Sequence, residues 1–198
     1  MIIAPRILLF AGSIRSGAYS GKTADCAQKE LALQGAEVTR MSLADYPLPI
    51  MDQDLERERG VPDNAGRLAQ LIGAADALVI CTPEYNGSIP PLLKNAIDWV
   101  SRVRRQDGRR LDVFRGKVIA LCSSSDGHFA GIRSAAHLRA VLAHMQAEVI
   151  APQVSVPNGA DAFGEDGDFR EERLRKGMAR LCRTLIEHAR MLSPRAEN

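Results

Sequence analysis

The chain has 198 residues, 45% apolar and 25% charged, which suits one domain spanning 1–198 with a sizeable core better than two. Its 26 Lys+Arg against 24 Asp+Glu leave a formal charge of +2, too near neutral for a dedicated nucleic-acid binder and too far from acidic for a polyanionic electron carrier. The longest apolar stretches, Ala77 to Cys81 and Val118 to Cys122, fall far short of the ~20 residues of a membrane helix.

The opening Met1-Ile2-Ile3-Ala4-Pro5 has no basic region ahead of a long apolar one, so no exported leader is expected and the predicted location is cytoplasmic. Arg6 to Ala11 then reads as a buried strand. Ser20 to Gln34 has the spacing of a helix, and Ala36 to Met41 that of a second strand. Helix Asp63 to Ala75, strand Ala77 to Cys81, helix Ile89 to Val103, strand Lys117 to Cys122, helix Gly131 to Met145 and strand Ala147 to Ile150 follow in turn. This alternation predicts an α/β, doubly wound, five-stranded parallel sheet with helices on both faces. Pro152 to Gly167 is rich in Pro, Gly and Asp, so an irregular connection is expected near 152–167. A last helix near 168–192 carries Leu174, Met178, Leu181, Cys182, Leu185, Ile186 and Ala189 on one face. The polar tail after Pro194 is expected to be mobile. Cys26, Cys81, Cys122 and Cys182 show no CxxC spacing, which argues against a zinc knuckle or a disulfide framework and fits a reducing compartment. Cys81 and Cys122 read as inert, buried residues at strand ends.

In an open α/β sheet, ligands gather at the carboxyl ends of the strands, so the loops after the first, third and fourth strands are the informative ones. The first, Gly12-Ser13-Ile14-Arg15-Ser16-Gly17-Ala18-Tyr19-Ser20, combines hydroxyls, a guanidinium and a helix N-terminus into a phosphate cradle, with Ser20 as a candidate N-cap. Gly21-Lys22-Thr23 ends like a P-loop, but Ser stands at position 16 where that motif needs Gly. Neither does any strand end in the Asp that would hold magnesium. GxGxxG also fails, because only Gly12 and Gly17 are present. The second loop, Thr82-Pro83-Glu84-Tyr85-Asn86-Gly87-Ser88-Ile89-Pro90-Pro91, frames the entry to a helix with prolines and places a turn tolerant of positive φ at Asn86-Gly87. Such a loop can lay backbone amides and the Tyr85 edge beside a flat ring.

Gly12-Ser13-Ile14-Arg15 with Ser20, followed by Thr82 to Pro90 and then Leu93-Lys94-Asn95-Ala96-Ile97-Asp98-Trp99, resembles the NADPH-dependent FMN reductases. These are flavodoxin-like flavoproteins that include quinone, chromate and azo-dye reductases. The resemblance runs from about Arg6 to Ile150. It implies a flavodoxin-like fold and FMN as cofactor, with Ser13, Arg15 and Ser20 on the FMN phosphate. Pro83, Glu84, Tyr85, Asn86 and Gly87 would border the isoalloxazine. The third loop, Ser123 to Gly131, would face the other side of the flavin through Ser123, Ser124 and Gly127. Members of this family often carry Ser where Ala18 stands and Asn where Ser20 stands.

The activity implied is hydride transfer from NADPH or NADH through flavin N5 to a quinone, free flavin, azo compound or metal oxyanion, in a homodimer or homotetramer. Chemistry of this kind rests on the cofactor and needs no catalytic side chain, so Glu84 is expected to fix the turn or an inter-subunit contact. A non-catalytic flavodoxin-like electron carrier is the alternative, disfavoured by the charge balance, and an NTPase resting on Gly21-Lys22-Thr23 is a weaker third. Seven basic residues between Arg102 and Lys117 read as a solvated loop or, more sharply, as attraction for the NADPH 2′-phosphate or an anionic acceptor. Leu92, Leu93, Ile97, Trp99 and Val100 on the Ile89 to Val103 helix look like more apolar surface than one sheet face absorbs, which favours a second subunit. His128 reads as a surface loop residue, and His137, His144 and His188 show no metal-ligand spacing.

Overall fold

A computed structural model describes the backbone of residues 4–106 and 109–192. The side chains of 105–110 and the tail beyond 192, including Pro194, lie outside the described residues. The main sheet is built from β1 (Arg6–Ala11), β2 (Glu37–Met41), β3 (Ala77–Pro83), β6 (Val118–Ser124) and β7 (Glu148–Val156). Its order is β2-β1-β3-β6-β7, and every pair is parallel. This is the flavodoxin arrangement, with the switch in strand order between β1 and β3. A separate hairpin pairs β4 (Arg105–Gln106) with β5 (Arg109–Arg110).

The central strands are buried on both faces, so alternate residues feed two different cores. Ile7, Leu9, Val79, Cys81, Ala120 and Cys122 pack under α1 (Tyr19–Leu33) and α6 (Glu172–Leu192). Leu8, Phe10, Leu78, Ile80, Ile119 and Leu121 pack under α3 (Asp63–Ala74), α4 (Pro91–Arg102) and α5 (Ile132–His144). All seven apolar residues expected on the inner face of α6 are buried.

Three differences from the sequence expectations have physical causes. β3 and β6 run on past Cys81 and Cys122, with Thr82 beside Ser123 and Pro83 beside Ser124, because ladder pairing outlasts the apolar run. β7 continues through Pro152 to Val156, where an irregular connection was expected. Its register slips between Ile119↔Val149 and Leu121↔Gln153, so Pro152 sits in a bulge on an edge strand, where a missing N–H is tolerated. Arg139 Nη1 donates to the Val149 and Ile150 carbonyls (3.1 and 3.0 Å) that the slip frees. Finally, a 3-10 turn (Leu43–Asp45) and a short helix α2 (Gln53–Arg59), with no buried residue and hence no apolar signature, follow β2.

Segment 46–59 also accounts for the apolar surplus of α4. Trp99 Nε1 and Asn95 Nδ2 both donate to the Pro49 carbonyl (2.8 and 2.9 Å), and Asn95 Oδ1 accepts from Met51 N–H (2.8 Å). Leu93, Ile97 and Val100 are buried in the core against the sheet, and Trp99 is buried beside Pro49. The apolar face of α4 is therefore satisfied without a second subunit.

Candidate active site at the carboxyl edge

The loops after β1, β3 and β6 meet at the switch point as walls of one cleft of ≈ 150 Å³, lined by Ser13, Arg15, Ala18, Tyr19, Ser20, Pro83, Glu84, Tyr85, Ser124, Ser125 and Asp126. Gly12 brings the first two walls together. Its N–H donates to the Cys81 carbonyl (2.8 Å), and a Cβ there would lie 2.9 Å from Leu93 Cδ2 and 3.3 Å from Pro83 Cδ.

The first wall presents a helix N-terminus with nothing of its own to cap it. Ala18, not Ser20, occupies the N-cap of α1, no side chain accepts from the first turn, and no acidic residue lies there. Ser20 falls inside the helix, 1% exposed, and its hydroxyl has no partner; Ser124, also 1% exposed, is in the same state on the opposite wall. Burying a hydroxyl unpaired costs roughly 1–3 kcal/mol, and here both line a cleft into which the positive end of α1 opens. Among the described residues, the other buried side-chain polar atoms without a partner are single nitrogens of Arg6 and Arg40. Those two guanidiniums find carboxylates instead, Asp76 at 3.8 Å and Asp25 at 3.5 Å. Arg15 is exposed, with its guanidinium 5.7 Å from the Tyr19 ring centre, and Ser13 Oγ accepts from Arg15 N–H (3.3 Å). A hydroxyl set, an exposed cation and open helix amides fit a phosphate monoester.

The second wall is a tight hairpin. Tyr85 and Ser88 exchange both backbone bonds (3.1 and 3.0 Å) around Asn86 and Gly87, whose φ values are 49° and 79°. Two successive positive φ angles define a mirror-image turn, which explains the Asn-Gly pair. Tyr85 is 49% exposed. Glu84 lines the cleft, and its carboxylate binds the start of α5. Its Oε2 accepts from Arg133 and Ser134 N–H (3.1 and 3.3 Å), and Oε1 lies 3.4 Å from Arg133 Nε.

The third wall is Ser124 to Asp126. Ser123, expected to face the ligand, is fully buried and bonds the Ala130 carbonyl and Ser155 Oγ (2.8 and 2.9 Å). It ties the loop down rather than lining the cleft. Gly127, Asn86 and Gly87 also stand outside the lining. Ser125, Asp126, Ala18 and Tyr19 line it, although composition gave no reason to single them out. The loop after β7 supplies an unforeseen support: Gly159 N–H donates to the Ser125 carbonyl (3.0 Å) and Ala160 N–H to Asp126 Oδ1 (3.3 Å). A Cβ at Gly159 would come within 2.4 Å of the Tyr19 ring, so only glycine lets the ring sit there.

Gly21-Lys22-Thr23 lies within α1, with Lys22 over the Phe163 ring (5.5 Å) and Thr23 Oγ1 bonded to the Tyr19 carbonyl (2.8 Å). It is not a phosphate loop. The basic stretch after α4 also lies away from the cleft of its own chain. A 12-residue helix carries the chain about 18 Å from Pro91, and Arg102 ends in a bidentate pair with Glu56 (2.9 Å to each oxygen), which raises its pKa through that hydrogen bond. The sharper role for this stretch therefore has no support within one chain; Arg105, Arg109 and Arg110 carry side chains outside the described residues. His128 is exposed on its loop, and no group of three or more potential metal ligands occurs among the described residues. The thiols are poor nucleophiles: burial, aided by Asp168, pushes Cys26 up to about 12, and burial also raises Cys182.

The description "NADPH-dependent FMN reductase" matches residues 5–161 as a family. A quinone reductase of Escherichia coli is 39% identical over 146 residues, 73% of each chain. An NAD(P)H-dependent FMN reductase of Pseudomonas aeruginosa is 33% identical over 173 residues, 86% of this chain and 88% of that one. Among solved structures, the flavoenzyme NAD(P)H:(acceptor) oxidoreductase FerB of Paracoccus denitrificans superposes with a TM-score of 0.78 at 25% identity, covering 96% and 99% of the two chains. A match across most of the chain, carried on the flavodoxin strand order, makes this protein a member of the NADPH-dependent FMN reductase family, an oxidoreductase that uses FMN with NAD(P)H as donor.

Proposed function

We propose that the carboxyl-edge cleft is the FMN site and that electrons leave it for a small planar acceptor of the quinone kind, with free flavins, azo compounds and metal oxyanions as further candidates. The observation that carries this reading is the pair of buried, unpartnered hydroxyls, Ser20 and Ser124, beside the uncapped α1 N-terminus and the exposed Arg15 side chain. In this assignment Ser13, Arg15, Ser20 and Ser124 hold the phosphate. The Pro83–Tyr85 backbone and the Asn86 and Gly87 N–H groups, which the hairpin does not use, flank the ring, and Ser125 and Asp126 close the other side. Bound FMN supplies hydride acceptance and electron delivery; the protein binds, orients and keeps the ring face open to a second flat molecule. Backbone N–H groups aimed at the pyrimidine end of the ring would stabilise negative charge gathering there.

The working unit in this proposal is one flavodoxin-like domain, 1–198, in the cytoplasm, and no described helix is long and apolar enough to cross a membrane. Ile14, Tyr85, Phe129 and Ile132, each about half exposed or more, stand around the cleft on the loops and at the start of α5. An apolar rim of this sort favours a second copy of the chain over it. Light scattering of the FMN-loaded protein at micromolar concentration should then give at least twice the 21.6 kDa chain mass; the monomer mass would remove the oligomer.

The deciding experiment is an absorption spectrum from about 300 to 550 nm before and after NADPH under argon. Flavin absorbance that bleaches and returns on adding a quinone supports the reductase. Bound flavin inert to NADPH and NADH supports an electron carrier instead.

A further inference from the structure

We propose that Glu84 is a positioning residue: its carboxylate caps α5 from outside and so holds the Thr82–Ser88 and Ser124–Gly131 loops as one rigid rim around the flavin site. The proposal rests on assigning the cleft to FMN. It begins from a helix that cannot cap itself. The N-cap of α5 is Gly131 at φ 73°, with no side-chain bond, and the first turn has no acidic residue. A Cβ at Gly131 would lie 3.2 Å from Ser123 Cβ and from the Ser124 backbone, so the usual Ser, Thr, Asp or Asn has no room at that position. The open amides of the first turn still need an acceptor.

Glu84 supplies it from 49 residues away for Arg133 N–H and 50 for Ser134 N–H. Its side chain is 12% exposed, a burial that an unpaired carboxylate would resist; the helix dipole and Arg133 compensate it. The cap is the centre of a set of ties. Thr82 Oγ1 and Ser134 Oγ lie 2.9 Å apart, both buried, and Ser88 Oγ and His137 Nδ1 lie 3.0 Å apart. The Arg133 side chain passes 4.0 Å from where a Gly87 Cβ would stand, then lies over the Phe129 ring at 4.8 Å. The inner end, middle and outer end of the Thr82–Ser88 loop are thus each fastened to the first two turns of α5. What Glu84 offers a flavin is the shape of the rim, since its oxygens are already engaged.

Three variants separate shape from charge. Glu84→Gln keeps an oxygen for the two amides but loses the charge; Glu84→Asp keeps the charge but loses the reach; Glu84→Ala loses both. Amide exchange in the FMN-free protein should accelerate at least ~10-fold at Tyr85, Ser88, Arg133 and Ser134 in the Asp and Ala variants, with β3 and β6 unchanged. FMN dissociation constants in those two should rise about 10-fold, with altered visible circular dichroism of the bound flavin, while Gln stays within about 3-fold of the parent. If Glu84→Ala does not fold, the Gln and Asp pair carries the same reading. Unchanged exchange at Tyr85 and Ser88 when Arg133 and Ser134 lose protection would overturn the proposal, because the cap would then not hold the loop. A Gln variant as weak as Asp or Ala, or an Asp variant equal to the parent, would overturn it in favour of a charge effect. A parent protein that binds no FMN would instead remove the cleft assignment, and the exchange experiment would still decide the coupling.

Discussion

The two ends of the sheet treat polar groups in opposite ways. At the amino end, Asp76 Oδ2 accepts from Arg6 N–H (2.7 Å), the Asp76 N–H donates to the Arg6 carbonyl (2.8 Å), and the Lys117 ammonium reaches the Ala75 carbonyl, with burial pulling its pKa down. At the carboxyl end, two hydroxyls are buried without partners and a helix N-terminus opens on a cleft. The amino end thus pairs most of its polar groups within the chain, Arg6 Nε excepted, whereas the carboxyl end leaves two buried hydroxyls facing a cleft. Unpaired hydroxyls that face a cleft are groups a bound ligand can complete.

The comparison can be broken most severely at Gly87. Valine there must adopt φ near 79°, which a β-branched residue resists. The turn should collapse, lowering kcat/KM for NAD(P)H on the order of 100-fold, or about 2.7 kcal/mol, per folded FMN-loaded site. Rapid mixing with NADPH checks this, and parental bleaching rates would separate the turn from the ring. Arg15→Ala comes next. Losing a charge-assisted contact worth roughly 1.5–3 kcal/mol should raise the FMN dissociation constant on the order of 10- to 100-fold without altering the melting temperature of the apo protein. Unchanged FMN titrations would take Arg15 out of the site.

Ser20→Ala and Ser124→Ala should have effects of opposite sign on the two states. Removing an unpaired buried hydroxyl should stabilise the apo protein by up to about 1 kcal/mol, yet weaken FMN by about 5-fold. Chemical denaturation with and without FMN reads both; loss of apo stability in both variants would mean the hydroxyls have partners in solution. The smallest effect is expected away from the cleft. Arg102→Ala breaks the Glu56 pair, should cost at most ~1 kcal/mol of stability, and should leave FMN affinity within about 2-fold. A loss of FMN affinity there would show that the basic stretch serves a site, necessarily one in a neighbouring copy.

Local pattern made most of the framework legible. Short apolar runs marked all five main strands, and the 3.6-residue spacing of Leu174 to Ala189 placed the face of α6. Pattern failed where polarity and structure part company, as at Thr82, Ser123 and Ser124, which extend strands because their neighbours pair with them. It also failed for Pro152, whose edge position makes it harmless. The loops that meet at the cleft were readable from composition, but the duties of single residues were not. Ser20 looked like a cap and is an unpaired hydroxyl inside the helix. Glu84 looked like a turn residue, yet it serves α5. The support that Gly159 gives Tyr19 crosses 140 positions, and no neighbouring residue announces it. The basic stretch, read as a solvated loop or as attraction for an anion, is carried away from the cleft of its own chain by the length of α4.

The register slip in β7 has a consequence for how copies of this chain can meet. A regular outer strand is a template for another chain's backbone, and sheets joined that way grow without limit. Here one margin is a five-residue strand with Glu37, Thr39 and Arg40 along it, and the other is bent by a bulge containing an imide nitrogen that cannot donate. Neither margin offers an unbroken ladder. Copies that meet must then do so through helices and loops rather than by extending the sheet.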